Sequence, residues 1–295
     1  MNLLSIVIIT CNRKDELQKT IQSCMTKVDM PIEIIVVDNG STDGTKDMLN
    51  ALSNNKSCII HPYFSDSNLG VSGGRNKGFE LATSDIVLFI DDDAIFADES
   101  DLLDQAYMYM KKNEQIGALA FDIYDLKEKG KLIDSFKNND SQQNVMLSYV
   151  GACHMLRKTY DRQYLYPPKL MYGAEERYAS ILYYNMGLRV EYYPAIKVLH
   201  NPSTKTRMSK ISTNRNVMIN QYVIKKLLLP KSFYKKITWY FILRELKTEK
   251  INVVQLIKNV KVAQKRFKEN SKAIQPIKSE TIKMICLDYG KFIIF

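Results

Sequence analysis

The chain has 295 residues, 45% of them apolar and 25% charged, a composition that sustains a packed core and excludes a disordered chain. Its five cysteines, Cys11, Cys24, Cys58, Cys153 and Cys286, form no C-x-x-C pair, which argues against a disulfide framework or a zinc site and for a reducing compartment. The net charge of +10 divides unevenly: residues 1–200 carry 21 Lys and Arg against 27 Asp and Glu (−6), and residues 201–295 carry 21 against 5 (+16).

The first apolar run, Leu3 to Ile9, predicts a buried strand. Asn12 follows as the expected helix cap, and Leu17, Ile21, Cys24, Met25 and Val28 recur at helical spacing. A second strand over Ile32–Val37 ends in the turn-rich segment Asp38 to Gly44 and a short helix carrying Met48, Leu49 and Leu52. A short strand at Cys58–Ile60 and a glycine-dotted segment, Asn68 to Gly78, lead through a helix into Ile86–Ile90. Strand and helix alternating in this way predict a mostly parallel, doubly wound α/β sheet.

Beyond that point the periodicity predicts a helix over Asp101–Met110 and a strand over Ile116–Phe121. A polar loop over 125–145, of the kind that contacts substrates, comes before a strand over Leu147–Leu156. A helix from Glu175 to Met186 is stopped by Gly187, and short strands follow at Val190–Tyr193 and Val198–Leu199. From about Asn201 the chain turns to basic helix with aromatic and aliphatic stripes, as in Phe233 to Ile242, and it closes on Phe292-Ile293-Ile294-Phe295. Aromatic side chains among lysines suit the headgroup region of an anionic membrane. Packing against the rest of the protein or a second copy accounts for the same stripes. No leader and no run of bilayer length is read, so neither secretion nor a spanning helix is expected.

Three consecutive aspartates, Asp91, Asp92 and Asp93, close the apolar run Ile86–Ile90. They are expected where a buried parallel strand leaves the core, the edge at which open α/β folds bind ligands. Packed like charges there call for a cation, and oxygen ligands suit Mg²⁺ or Mn²⁺ bridging carboxylate to phosphate. A solvated acidic turn is the alternative for the triplet taken alone.

Four segments in this order carry a resemblance: Ser5 to Arg13; Glu33 to Thr45; Asn68-Leu69-Gly70 with Gly74-Arg75-Asn76-Lys77-Gly78; and Asp91-Asp92-Asp93. Over residues 3–200 the chain resembles glycosyltransferase family 2. The resemblance implies the GT-A fold, a Rossmann-like, mostly parallel mixed sheet flanked by helices. A catalytic domain over 1–205 and a basic helical region over 206–295 are expected. It further implies an inverting enzyme that moves a sugar from a UDP- or dTDP-sugar to a hydroxyl of a glycan or lipid-linked acceptor, in envelope or capsular polysaccharide synthesis. A non-catalytic sugar-nucleotide or glycan-binding module with the same fold is the alternative.

The resemblance also assigns roles. Thr10, Asn12 and Arg13 lie beside the nucleotide, Asp38 at its base, Arg75 near ribose or phosphate, and Asp91 and Asp92 at the nucleotide sugar. Asp93, Asp91 and His200 hold the metal, with a histidine favouring Mn²⁺. Tyr172-Gly173-Ala174-Glu175-Glu176 matches the family's acidic pair, with Glu176 as the base and Glu175 orienting a neighbour or binding acceptor. Two departures are glutamate where aspartate is usual at 176, and Leu182 where arginine is frequent, which puts one ligand contact in doubt. Thr213-Asn214-Arg215-Asn216 is similar to a basic element in relatives that act on envelope glycans. A cytoplasmic protein is expected, peripheral on the inner membrane face, with a homodimer open and no nucleic-acid partner.

Overall fold

The computed structural model describes residues 3–53, 59–97, 103–133, 145–159, 164–170, 172–202, 210–248, 252–272 and 274–289. The early apolar runs form β1 (Leu4–Thr10), β2 (Ile32–Asp38), β3 (Ile59–Phe64) and β4 (Ile86–Asp91). Helices α1 (Lys14–Thr26), α2 (Thr45–Ser53) and α3 (Gly70–Leu81) separate them. There follow β5 (Ala94–Phe96), α4 (Leu103–Lys112), β6 (Ile116–Asp125), β7 (Lys131–Leu132), β8 (Cys153–Arg157), α5 (Glu175–Asn185) and β9 (Arg189–His200). The basic region forms α6 (Lys210–Leu228), α7 (Tyr234–Thr248), α8 (Val253–Asn270) and α9 (Ser279–Tyr289).

The strands make one nine-stranded sheet in the order β3-β2-β1-β4-β8-β6-β9-β5, with β7 beside β6. Its first four strands are parallel; β8 pairs antiparallel with β4 and β6, and β5 pairs antiparallel with β9. The expected mixed, mostly parallel sheet is present. Alternate side chains divide between two cores. Ile6, Ile8, Ile34, Val36, Leu88 and Ile90 pack with Leu17, Ile21 and Cys24 of α1 and Leu103 and Met110 of α4. Val7, Ile35, Val37 and Phe89 pack on the opposite face with Tyr166 and with Ala179 and Tyr183 of α5. A third core joins α5, through Tyr178 and Leu182, to Val223 and Leu227 of α6, Phe241 of α7, Ala263 of α8 and Ile285 of α9. Part of the basic region's apolar stripe is therefore internal.

Several expectations change in detail. Asn12 does not cap α1: its φ is +56° and its side chain serves the loop after β2, while Lys14 N–H donates to Asp43 Oδ2 at 3.0 Å. The strand expected over 147–156 is confined to Cys153–Arg157, because the backbone before it turns away from the sheet and its Gly151 carbonyl accepts from Arg75. The two short strands of the sequence reading are one strand, β9. Its register against β6 jumps from Ala120↔Tyr192 to Asp122↔Lys197, and the bulged residues break the alternation. Cys58, Asp101, most of the 125–145 loop, the boundary near 205 and the tail Phe292–Phe295 lie outside the described residues.

Close packing of α3 on β1 depends on small residues. A Cβ at Gly78 would lie 2.2 Å from Val7 Cγ1, and one at Gly74 would lie 2.9 Å from Ile9 Cγ2. Gly78→Ala forces these layers apart, and overpacking of this kind costs about 1–3 kcal/mol. Urea unfolding is expected to show that loss; an unchanged midpoint would mean that α3 does not sit this close.

Candidate active site

Strand register brings the site together. Thr10 lies beside Asp38, and Ile9 beside Asp91, so the carboxyl ends of β1, β2 and β4 share one edge. The chain leaves β4 through Asp92 and Asp93 into β5, where Ala94 pairs with His200 and Asn201 N–H donates to the Asp93 carbonyl at 2.9 Å. This pairing across more than a hundred residues sets His200 Nε2 3.2 Å from Asp93 Oδ1. Ligand atoms of Asp91, Asp93 and His200 all lie within 4.8 Å of one another. Two carboxylate oxygens and an imidazole nitrogen fit a divalent cation, and the nitrogen favours Mn²⁺ over Mg²⁺. Burial alone would lower the His200 pKa, but its hydrogen bond to Asp93 and the charges of Asp91 and Asp93 raise it above 6.5.

The aspartates have an internal counter-charge. Arg13 Nη1 donates to Asp92 Oδ1 at 2.7 Å and to Asp93 Oδ2 at 2.9 Å. Asp92 is 3% exposed. Burial, offset by Arg13 and reinforced by Asp93, pushes its pKa up to about 7. Arg13 and Asp92, expected at the nucleotide, thus pair with each other at the base of the cluster. Thr10 is buried too. Asp38 Oδ1 accepts from Ser41 N–H at 3.0 Å and from the Ser41 hydroxyl, and Asn12 Oδ1 accepts from Thr42 N–H at 2.7 Å. Both residues therefore shape the loop that follows β2.

A second cation sits between this cluster and the acidic pair. Arg75, on α3, is 3% exposed. Its Nη1 donates to Glu175 Oε1 at 3.1 Å and Glu176 Oε1 at 3.3 Å, and its Nη2 to Asp91 Oδ1 at 3.1 Å and the Gly151 carbonyl at 2.9 Å. Its ion pairs are therefore internal and not surface ones. A Cβ at residue 151 would lie 2.1 Å from Glu176 Oε1, so a larger residue there would displace the Glu176 carboxylate. Burial first, then the neighbouring Glu176 charge, pushes Glu175 up to about 8; burial also raises Glu176 against the pull of Arg75. The side chain of Glu175 is 2% exposed and that of Glu176 17%, so Glu176 is the member with access to solvent.

The turn before the pair runs through two left-handed residues, Gly173 (φ +96°) and Ala174 (φ +73°). A non-glycine residue in that region is strained. It is held from the basic region: Asn220 Nδ2 on α6 donates to the Tyr172 and Gly173 carbonyls at 2.9 and 2.8 Å, and Arg266 Nη1 on α8 donates to Asn220 Oδ1 at 2.7 Å. Arg266 Nη2 also meets Asn216 Oδ1 at 2.8 Å, which gives the Thr213–Asn216 element a structural partner. Leu182 is buried in the core shared with the C-terminal helices. Gly151, Asn220 and Arg266 carried no sequence signal, because each acts across a gap of 25 or more residues.

Arg75→Met strands three carboxylates without their cation, a change expected to cost about 3–5 kcal/mol where they are ionised. The sign with pH follows from the protons. Glu175 and Glu176 have raised pKa values and become neutral on acidification, so the loss shrinks as pH falls below about 8. Unfolding measured at pH 8.5 and pH 5.5 checks this, and equal losses would argue against a charge-based role.

Comparison with known proteins places the chain in a family and a fold. The family described as Glycosyl transferase family 2 matches residues 5–165. An uncharacterized protein of Haemophilus influenzae is 33% identical over 53% of this chain and 88% of its own length. The UDP-Glc:alpha-D-GlcNAc-diphosphoundecaprenol beta-1,3-glucosyltransferase WfaP of Escherichia coli is 26% identical over 61% of this chain. The match covers 58% of WfaP, little over half its length. Among solved structures, the mannosyltransferase PcManGT of Pyrobaculum calidifontis, in complex with GDP-Man and Mn²⁺, aligns with a TM-score of 0.60 at 15% identity. That alignment covers 96% of this chain and 78% of the other, a likeness of fold. With a family match over more than half its length and the fold of these enzymes beneath an acidic strand-end cluster, the chain belongs to glycosyltransferase family 2 and has the GT-A fold.

Proposed function

We propose that the protein is a metal-dependent, inverting glycosyltransferase. It takes a sugar from a UDP- or dTDP-sugar and transfers it to a hydroxyl of a glycan or lipid-linked acceptor, in envelope or capsular polysaccharide synthesis. The observation that carries this reading is the position of Arg75, which touches both Asp91 of the metal-type cluster and Glu176 of the acidic pair. Donor-binding and proton-accepting groups therefore share one cleft. The activity of WfaP, with UDP-Glc as donor and a diphosphoundecaprenol-linked acceptor, supports the choice of substrates.

Asp91, Asp93 and His200 would hold Mn²⁺ or Mg²⁺, a Lewis acid that offsets the charge on a departing nucleoside diphosphate. Asp38, Asn12 and the loop they shape receive the nucleotide. Arg13 neutralises Asp92 and fixes Asp93, leaving Asp93 Oδ1 turned to His200. Glu176 takes the proton of the acceptor hydroxyl as its oxygen bonds to the anomeric carbon and the bond from that carbon to the diphosphate oxygen breaks. Attack from the face opposite the leaving group inverts the centre. Glu175, largely protonated near neutrality, keeps the Arg75 charge available to Glu176. The diphosphate leaves as an anion, so no group is required to protonate it, unlike the alcohol expelled by a glycoside hydrolase.

The acceptor chemistry suggests a site of action at the inner face of the cell membrane, with the protein peripheral. Among the described residues no helix is long and apolar enough to cross a membrane.

Glu176→Gln is expected to keep nucleotide-sugar binding and to lower transfer by about 10²–10⁴-fold; full transfer would move the base to Glu175. In wild type, transfer should fall on acidification through a limb lying above pH 4.5, the ordinary glutamate value, because the base must be ionised. Asp93→Ala is expected to abolish the rise in melting temperature that Mn²⁺ with UDP gives wild type. An equal rise in both proteins would remove Asp93 from the metal site.

A further inference from the structure

Helix α7 has two apolar faces. Ile237 and Phe241 are buried with Glu245 on the side packed against the protein. Trp239, Leu243 and Leu246 stand at i, i+4 and i+7, a single stripe roughly opposite that side at 100° per residue. They are 64%, 47% and 44% exposed. Lys235, Lys236 and Lys247 are exposed on the same helix and flank the stripe.

Helix α8 lies alongside, joined by a hydrogen bond from Asn259 Nδ2 to Glu245 Oε2. Its face turned from the shared core carries Val254, 62% exposed, followed by Lys258, Lys261 and Lys265 at helical spacing. Each helix thus turns an outer face to solvent, apolar and flanked by lysines on α7 and basic on α8, in a region whose net charge is +16 over residues 201–295.

We propose that this α7–α8 surface docks on an anionic lipid bilayer, with Trp239, Leu243 and Leu246 entering the headgroup boundary and the lysines meeting acidic lipid. The inference deepens the proposed function, since it rests on the reading that the acceptor is carried by lipid. Charge decides between a bilayer and a second copy of the chain. A two-fold contact through this surface would set the same lysines against themselves, where like charges oppose association. An anionic surface satisfies the lysines, and each contributes about 1 kcal/mol near such a membrane. A tryptophan at the edge of an apolar stripe suits the same boundary.

The test is flotation of the full chain with vesicles of phosphatidylcholine alone or with a phosphatidylglycerol fraction. It compares wild type with the triple variants Trp239→Gln/Leu243→Gln/Leu246→Gln and Lys258→Gln/Lys261→Gln/Lys265→Gln. Wild type is expected to float with the anionic vesicles and not the neutral ones. The apolar variant should lose about tenfold or more in partitioning, and the lysine variant about a hundredfold, with a weaker salt dependence. The changed side chains are exposed, so melting temperatures are expected to be unchanged. Donor hydrolysis in vesicle-free solution should also be unchanged, and it separates failure of the surface from failure of the proposed reaction. Wild type that stays unbound, or an apolar variant that floats like wild type, would overturn the assignment. So would a wild-type dimer in sedimentation that the apolar substitutions dissociate, which would make the surface an interface between copies.

Discussion

Five carboxylates, Asp91, Asp92, Asp93, Glu175 and Glu176, share two guanidinium groups, Arg13 and Arg75, at one edge of the sheet. Clustered charge of one sign in a partly buried place is unfavourable unless it is neutralised by protons, by ion pairs or by a cation from solution. The first two are visible here, and the donor set leaves a place for the third. Glu175 and Asp92, the most buried, are pushed toward the neutral form. Arg13 bridges Asp92 and Asp93, and Arg75 bridges Asp91, Glu175 and Glu176. The remaining deficit falls on Asp91 and Asp93, beside His200, where the donor atoms fit a divalent ion.

That arrangement draws on the whole chain. Parallel pairing of β1, β2 and β4 sets the strand ends level, and α3 lies close enough to β1 to place Arg75 under Asp91 only because Gly74 and Gly78 lack side chains. The acidic pair depends on a strained turn, and the groups that hold that turn, Asn220 and Arg266, come from the basic helices. The C-terminal region therefore supports the cleft as well as presenting an outer surface. A membrane contact through α7 and α8 would lie one packed layer from the turn that carries Glu176.

The parts of this design that were legible in the sequence are those with local signals. Apolar runs ending in Asp38 and Asp91, the glycine-bearing segment around Arg75, the Glu175–Glu176 pair before a helix and His200 after a short strand all stand out in residue order and spacing alone. Their mutual arrangement was not legible. The pairing of Arg13 and Arg75 with carboxylates has no local signal, because a guanidinium gives no sign in sequence of which acid it will reach. Asn12 read as a cap, but its left-handed backbone turns the side chain to Thr42. The continuous β9 was hidden by its bulge, and β5, only three residues long, has no periodicity to detect. Gly151 and Asn220 matter through close approach and carbonyl capture, which only the packed structure defines.

The most direct test of a cation held by this acidic edge is pulsed electron paramagnetic resonance of Mn²⁺ added to the full chain with UDP. One bound ion per chain, coupled to an imidazole nitrogen that disappears in His200→Gln, is the expected result. Stoichiometric Mn²⁺ with no nitrogen coupling, or a coupling that persists in the variant, would contradict it and leave the carboxylates of Asp91 and Asp93 to be balanced in another way.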